Sequence, residues 1–327
     1  MKSQVSVIMP AYNAERFIGD AIESILSQTL RNYELIIIDD GSEDRTYDII
    51  SQYARKDNRI RVIRQNNSGI SNTLNRGIAE ARSPWVAIMH ADDVALPQRL
   101  EKQLQATQAN PNVVVWGTYA YHISSRGKIL SISQTGPISE NEFHERRRIG
   151  ELMIVIHPSA FIKKEIVQRV GGYNPDFDGS EDLELFDRMA EHGAMVALPE
   201  PLICYRIHSS SISMNRFFLM RKFIRYIKYR QLARLNNQFC GSFNEFQKEY
   251  KRAPVLKRWR RSLDDLSQFY YRNAGLNYGE ERVGKALFQF MLSTVLNPFY
   301  AIPRLKKQMF AKQMRSGIKN SQASMLA

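Results

Sequence analysis

The sequence predicts an α/β fold: a central, mostly parallel sheet flanked by helices, followed by a helical basic region. Three observations carry that expectation. Strand-like and helix-like patterns alternate four times within about the first 95 residues, as in a parallel sheet covered on both faces. Two acidic pairs, Asp39-Asp40 and Asp92-Asp93, each close a predicted strand, and ligands of such sheets bind beyond the carboxyl ends of the strands. After Met214 the pattern turns helical and strongly basic.

Val5–Pro10 reads as a buried strand closed by proline. A helix follows over Ala14–Thr29, where Ile18, Ile22, Ile25 and Leu26 recur at helical spacing. Tyr33–Ile38 is a second strand, Tyr47–Ala54 a helix, Ile60–Ile63 a short third strand and Ile70–Ala81 another helix. Trp85–Met89 is a fourth strand running into His90-Ala91-Asp92-Asp93. Val113–Trp116 predicts a strand, with a further one over Tyr119–Ile123 after a turn and another turn at Gly127. Glu140–Glu151 suits a surface helix or loop, Ser159–Ile162 a strand, and Lys164–Val170 a short helix ending at Gly171-Gly172. Asp182–His192 forms a helix with Leu183, Phe186 and Met189 on one side. In the last third, Phe218–Leu235, Leu263–Arg272 and Val283–Leu296 read as helices, the last stopped by Asn297-Pro298 and followed by a basic tail from Arg304.

Of the 327 residues, 43% are hydrophobic and 24% charged, which excludes a disordered or collagenous chain. Cys204 and Cys240 can supply neither a disulfide framework nor a four-thiolate zinc site, so a reduced, cytoplasmic protein is expected. Met1–Val7 runs straight into a strand pattern, and no signal peptide is expected ahead of it. The net charge of +13 is held unevenly. Residues 216–327 carry 23 Lys plus Arg against 6 Asp plus Glu, a net of +17, while residues 1–215 carry 23 against 27, a net of −4. This shift follows Ser209-Ser210-Ser211 and sets the expected boundary between a domain over 1–215 and a helical basic region over 216–327. No stretch of 18 uninterrupted apolar residues exists, so an ordinary membrane-spanning helix is excluded. Basic and aromatic residues interleave over Phe217–Tyr229 as in a nucleic-acid surface. The acidic first 215 residues and the lack of a binding motif argue against it, and no nucleic-acid partner is expected.

An acidic pair at a strand end can simply cap the next helix, and Ser42-Glu43-Asp44-Arg45-Thr46 makes that credible for Asp39-Asp40. Two pairs at one sheet edge ask for more. Crowded carboxylates need a cation or donors facing them, and a hard divalent ion with a bound diphosphate supplies both the charge and the oxygen chemistry. A third group, Asp176, Asp178, Glu181 and Asp182, stands before a predicted helix. It is either dipole-favoured surface decoration or the source of a general base. His208 in Tyr205-Arg206-Ile207-His208-Ser209 is either merely packed or a phosphate or metal contact. Gly-x-Ser-x-Gly, the Walker loop and Gly-x-Gly-x-x-Gly after the first strand are all absent, which removes the simplest hydrolase, P-loop and dehydrogenase readings.

Several ordered segments resemble family 2 glycosyltransferases, nucleotide-sugar enzymes of the GT-A fold. They are Ser6–Asn13, Ala21–Leu30, Glu34–Thr46, Asn67–Gly77, Ala91-Asp92-Asp93, His157-Pro158-Ser159, Val170–Tyr173, Ser180–Gly193 and Tyr205–Ser213, together spanning about residues 3–215. The resemblance implies that Pro10, Ala11, Tyr12 and Asn13 line the nucleotide pocket, and that Asp40, supported by Asp39, accepts a hydrogen bond from the base. It places Asp92 toward the donor ribose or sugar, Asp93 on Mg2+ or Mn2+, and Asp182, preceded by Glu181, as the base of an inverting transfer. It puts His208 in a segment closing over the diphosphate.

Two departures stand out. Where many relatives have Ala-Arg-Asn this chain has Thr73-Leu74-Asn75, and the usual first aspartate of Asp-Ala-Asp-Asp is His90. The Gln-x-x-Arg-Trp motif and flanking membrane helices of processive synthases are missing, so transfer of a single sugar is expected. The expected partners are a nucleotide-sugar donor, with UDP favoured, and a glycan or lipid-linked oligosaccharide acceptor. The expected location is the cytoplasm at the inner membrane face. Phe217, Phe218, Phe223, Ile224, Ile227 and Leu235, interleaved with Arg221, Lys222, Arg225, Lys228 and Arg234, suggest an anionic membrane surface or, alternatively, a homodimer. A sugar-phosphate nucleotidyltransferase and a catalytically silent scaffold are the other readings. Pro10-Ala11-Tyr12-Asn13 is not a triphosphate loop, and the retained Asp40, Asp92, Asp93 and Asp182 argue against lost chemistry.

Overall fold

A computed structural model describes residues 3–208, 214 and 216–305. The chain opens as β1 (Val5–Ala11), α1 (Ile18–Leu26), β2 (Tyr33–Asp39), α2 (Thr46–Ala54), β3 (Ile60–Arg64), α3 (Ile70–Glu80) and β4 (Trp85–Ile88). This is the predicted alternation, with one informative shift. Helix α1 begins at Ile18 instead of Ala14 because the preceding backbone is bonded elsewhere. Asn13 N–H donates to Ser42 Oγ at 3.0 Å, Ala14 N–H to Thr46 Oγ1 at 2.7 Å and Glu15 N–H to Asp44 Oδ2 at 3.1 Å. The loop after β1 is thereby stitched to the loop after β2.

The chain continues as β5 (Val94–Ala95), α4 (Arg99–Ala109), β6 (Val113–Ser124), β7 (Ile129–Ser133), α5 (Glu140–Arg148), β8 (Phe161–Lys163), α6 (Lys164–Arg169), α7 (Glu181–Met189) and β9 (Ala194–Ile207). The nine strands form one sheet in the order β3-β2-β1-β4-β8-β6-β9-β5, with β7 on β6. Strands β3, β2, β1 and β4 pair in parallel, and β8 then runs antiparallel to both β4 and β6. The parallel block puts the ends of β1, β2 and β4 side by side: Ala11 is opposite Asp39, and Ile8 is opposite Ile88. Buried Val, Ile, Leu and Met of these strands form the centre of the core with Ile18, Ile22 and Ile25 of α1 and Leu74 of α3.

Three sequence expectations change here. Val113–Ser124 is one strand, without the turn expected between Trp116 and Tyr119. Gly117 lies there because a Cβ would meet Val155 at 2.5 Å, not because the backbone reverses. Helix α4 has no apolar stripe at helical spacing, because its buried face is Arg99, Leu100, Gln103 and Thr107, mostly polar. Strand β9 was hidden by Pro199 and Pro201, which interrupt any strand-like run.

The last third contains α8 (Phe217–Leu235), α9 (Phe243–Arg252), α10 (Val255–Gly279) and α11 (Val283–Leu296), and residues 298–305 are helical again beyond Asn297. Helix α9 carries a capping box between Ser242 and Glu245 that the sequence displays but that has no buried stripe to advertise it. Helix α10 is far longer than Leu263–Arg272 because its first turns are exposed and basic. The basic tail beyond residue 305 and residues 209–213, which include the end of the Tyr205–Ser213 segment, lie outside the described residues.

Packing divides the chain into two units. The first comprises 1–121, 133–206 and 222–240, and the second 122–132, 207–221 and 241–327. In the first unit α8 is clamped onto α7: Arg230 pairs with Glu184 at 2.8 Å and with Asp187 at 2.7 Å, and Arg234 pairs with Asp187. Phe223 packs against Phe177 with ring centroids 4.9 Å apart and planes tilted by 45°, and Ile227 is fully buried. In the second unit α10 and α11 pack closely through Ser267 and Ser293, each hydroxyl donating to the other's carbonyl at 2.8 Å. Among the described residues, no helix is long and apolar enough to cross a membrane.

Candidate active site

The first acidic pair closes β2 and the second follows β4, the parallel strands on either side of β1, yet the two are held differently. Asp40 is buried and its carboxylate accepts four hydrogen bonds from one loop: Gln65 Nε2 at 2.7 Å, Ser68 N–H at 3.0 Å, Ser68 Oγ at 3.2 Å and Gly69 N–H at 3.1 Å. Gly69 is required there. Its φ of +86° and ψ of 163° lie in a region essentially reserved for glycine, and a Cβ would meet Asp178 Oδ2 at 2.8 Å. Ser71 donates to Asp178, so the same turn that wraps Asp40 also holds the loop before α7. Asp39 accepts from Ser42 N–H at 3.3 Å, and its Oδ2 lies 3.2 Å from Arg64 Nε. Of the four residues expected at the nucleotide, Pro10 and Ala11 are buried at the end of β1, while Tyr12 is 49% exposed and Asn13 takes a positive φ of 48°.

Asp93 is 1% exposed. Its Oδ1 accepts from the Arg206 N–H of β9 at 2.7 Å, and its Oδ2 has no hydrogen-bond partner. Burial, then the charge of Asp92, pushes its carboxyl well above the usual carboxylate range. Arg206 braces the same turn, donating from Nε to the Asp92 carbonyl at 2.7 Å and from Nη2 to Asp20 at 3.1 Å. Beneath the turn lies Arg99, fully buried, donating to the Ile88 carbonyl at 2.8 Å and pulled down to about 9 by burial. His90 Nδ1 lies 3.7 Å from Asp93 Oδ2, and donor atoms of His90, Asp92 and Asp93 all fall within 4.8 Å of one another. A buried, unpartnered carboxylate oxygen inside such a trio suits a divalent cation, so the residues present fit the metal that the resemblance implies.

From His90 a hydrogen-bonded route leads inward. His90 Nε2 is 3.1 Å from His157 Nδ1, and His157 Nε2 is 2.8 Å from the Tyr173 hydroxyl. Asn75 of α3 fixes Tyr173, accepting from its N–H at 2.7 Å and donating to its carbonyl at 2.8 Å. Burial raises the Tyr173 phenol well above its ordinary value, helped by the charges of Asp182 and Glu181. At the start of α7, burial and the Asp182 charge push Glu181 up to about 8, and burial pushes Asp182 up to about 6. The two acids titrate as a pair, and burial holds both above the ordinary carboxylate range. His208 follows β9 and is half-buried.

Sequence reasoning missed Arg99, Arg206, His157, Tyr173 and Asn75 as parts of this arrangement. Asn75, His157, Tyr173 and Arg206 stood inside the resembling segments without an assigned role, His90 stood out as a departure from a motif, and Arg99 carried no signal.

The fold is that of the GT-A glycosyltransferases. The sequence profile of Glycosyl transferase family 2 matches residues 6–171, and the chain belongs to that family. It is 34% identical over 217 residues to an uncharacterized glycosyltransferase of Haemophilus influenzae, covering 64% of this chain and 67% of that protein. It is 30% identical to the O-antigen biosynthesis glycosyltransferase WbnJ of Escherichia coli, covering 63% and 81%. Among solved structures, S. aureus TarS 1–349 in complex with UDP-GlcNAc superposes with a TM-score of 0.56 at 17% identity, covering 89% of this chain and 91% of that one. Against the longer TarS chain the match covers only 55% of its length. The mannosyltransferase PcManGT of Pyrobaculum calidifontis, in complex with GDP-Man and Mn2+, gives a TM-score of 0.55 at 16% identity, covering 97% and 85%.

Proposed function

We propose that this protein transfers a single sugar from a UDP-hexose or UDP-N-acetylhexosamine to a hydroxyl of a glycan or lipid-linked oligosaccharide, with metal assistance and inversion at the anomeric carbon. The likeness to an O-antigen enzyme supports a role in surface-polysaccharide synthesis, and the UDP-GlcNAc complex of TarS supports a uridine donor. GDP-Man in the mannosyltransferase supplies the competing choice. The observation that carries the reading is the unpartnered Asp93 oxygen at one end of a buried polar route, with two acids of raised pKa at the other.

In this proposal Pro10, Ala11, Tyr12 and Asn13 bound the nucleotide pocket, Asp39 and Asp40 serve its base end, and Asp92 serves the donor ribose or sugar. Asp93 holds the Mg2+ or Mn2+, which when bound offsets the charge growing on the departing diphosphate. Asp182 acts as general base. The acceptor hydroxyl gives its proton to an Asp182 oxygen, and the hydroxyl oxygen forms the new bond to the anomeric carbon. The bond from that carbon to the phosphate oxygen breaks, its electron pair leaving on the nucleoside diphosphate. A single displacement of this kind inverts configuration without a covalent sugar–enzyme intermediate. For His208 the assignment to the diphosphate rests on the resemblance alone.

Calorimetry with UDP and with GDP, each with Mn2+, tests the donor: binding of GDP but not UDP overturns the uridine choice. NMR of the first-formed product tests the displacement, which a retained anomeric configuration overturns.

The second part of the proposal assigns residues 1–215 to the transfer and 216–327 to contact with an anionic membrane at the cytoplasmic face. The apolar side chains first expected at that surface are only partly available, since Phe217, Phe223 and Ile227 are buried. The start of α10 is better suited: Val255, Leu256 and Trp259 are exposed beside exposed Lys257, Arg258 and Arg260. Apolar side chains entering the headgroup region beside basic ones is the pattern of interfacial binding. Vesicle sedimentation should rise with anionic lipid and fall with salt. A compact dimer that ignores such vesicles at low salt overturns this part.

A further inference from the structure

We infer that His90 Nδ1 is a direct ligand of the divalent cation beside Asp93, making the site a mixed nitrogen–oxygen one that prefers Mn2+ to Mg2+. The inference rests on the metal-assisted reading above and extends it to a position where aspartate is usual.

The argument begins with the gap between two atoms. His90 Nδ1 and Asp93 Oδ2 are 3.7 Å apart, too far for a hydrogen bond. Two metal–ligand bonds of about 2.1 Å span up to about 4.2 Å, so a cation fits where a proton does not. Asp93 is 1% exposed, and no N–H or O–H of the fold donates to its Oδ2. Asp92 offers a further oxygen within the same 4.8 Å group.

The ring's other nitrogen decides which proton it carries. Only one proton can lie between His90 Nε2 and His157 Nδ1, which are 3.1 Å apart. With its proton on Nδ1 the His90 ring would aim an N–H at Asp93 Oδ2 across 3.7 Å, too far for a hydrogen bond, whereas a proton on Nε2 makes the bond to His157 Nδ1. The phenol oxygen then accepts from His157 Nε2–H, at 2.8 Å. His157 Nδ1 is left as acceptor, His90 Nε2–H donates to it, and the lone pair of His90 Nδ1 points toward Asp93. A metal-bound histidine almost always donates its second N–H to such a partner, which fixes tautomer and ring orientation. Without a cation, this arrangement leaves two acceptors facing each other. Mn2+, although the weakest imidazole binder of the first-row transition ions, accepts a nitrogen ligand more readily than Mg2+, which favours an all-oxygen shell, so the donor set tilts the choice toward Mn2+.

The test uses the intact chain with Mn2+ alone and with Mn2+ plus UDP. Electron spin-echo spectroscopy of the bound Mn2+ should show modulation by an imidazole nitrogen. In His90→Asp that modulation should vanish, and the ratio of Mn2+ to Mg2+ affinity should fall roughly 10-fold or more. His90→Asn serves the same purpose if the added buried charge of the aspartate prevents folding. His157→Phe, which leaves every ligand in place but removes the partner orienting the ring, should weaken Mn2+ by about 10- to 100-fold. Asp93→Asn separates the two readings. If it binds Mn2+ as the wild type does, the metal-assisted reading fails and this inference with it. If it loses Mn2+ while the wild type shows no nitrogen modulation, or the modulation survives in both His90 variants, the metal remains at Asp93 and only the His90 assignment is overturned.

Discussion

Asp39-Asp40 and Asp92-Asp93 are the same two letters at the ends of two parallel strands, yet the protein treats them in opposite ways. Around Asp40 the backbone folds inward, and four donors from residues 65–69 meet the carboxylate. Around Asp93 the fold supplies one N–H, from Arg206, and leaves the other oxygen bare at 1% exposure. A carboxylate whose hydrogen bonds are all made within the protein shapes the loop that makes them. A buried one left short of partners is costly unless something outside the chain completes it. Asp93 is therefore the stronger candidate for direct chemistry and Asp40 for building the pocket wall, while the Asp39 Oδ2, also without a hydrogen bond, has the Arg64 guanidinium 3.2 Å away.

The largest expected effect lies at the bare oxygen. Asp93→Asn should lower turnover by at least about 10²–10³-fold, the scale seen when a single transition-state charge contact is removed. Its metal-free stability in urea should be unchanged or higher, because a carboxyl whose pKa is raised by burial destabilises the fold once ionised. A large stability loss instead would mean that Asp93 is as structural as Asp40. Asp40→Ala should behave the other way round. With Ser68 N–H and Gly69 N–H left unmatched, urea unfolding should show a loss of about 2–3 kcal/mol. Full stability would break the comparison.

Gly69→Ala probes the same loop more gently. Forcing a side chain into that backbone region should cost about 1–3 kcal/mol and weaken nucleotide binding measured by calorimetry. The smallest effect is in pH. Both acids at the start of α7 have folded pKa values above their ordinary ones, so the folded state holds their protons longer than the unfolded chain does. Stability should therefore decline as pH rises from about 4 toward about 8, the window set by Asp182 near 6 and Glu181 near 8. Turnover should run the opposite way at its lower edge, rising through about pH 6 as Asp182 ionises. Asp182→Asn should flatten the lower part of the stability curve, and a pH–rate profile that stays flat between 5 and 7 would remove Asp182 as the base.

Local pattern was enough for the first four strands and three helices, since their apolar residues recur at periods of two or helical spacing and the turn residues between them are unambiguous. The acids were legible for the same reason, standing where strand patterns stop. Asp93 and Asp182 were named from motif order, but nothing in that order distinguishes a carboxylate that is satisfied from one that is not. That distinction depends on which N–H groups arrive from residues 25 to 113 positions away, such as the Gln65 side-chain amide and the Ser68 backbone at Asp40 and the Arg206 backbone at Asp93. His90 read as a departure from a motif, and only the fold brings it against His157, 67 residues on, and His157 against Tyr173. Arg99 was invisible because a fully buried guanidinium breaks the apolar pattern by which buried helix faces are recognised. The sequence by itself determined which residues could be strands, helices and acids at a sheet edge, because those are short-range properties of spacing and residue type. Which acid is left short of partners, which histidine nitrogen faces it and which carboxyl keeps its proton were decided by tertiary structure, because burial and hydrogen-bond completion are properties of groups that meet only after the chain has folded.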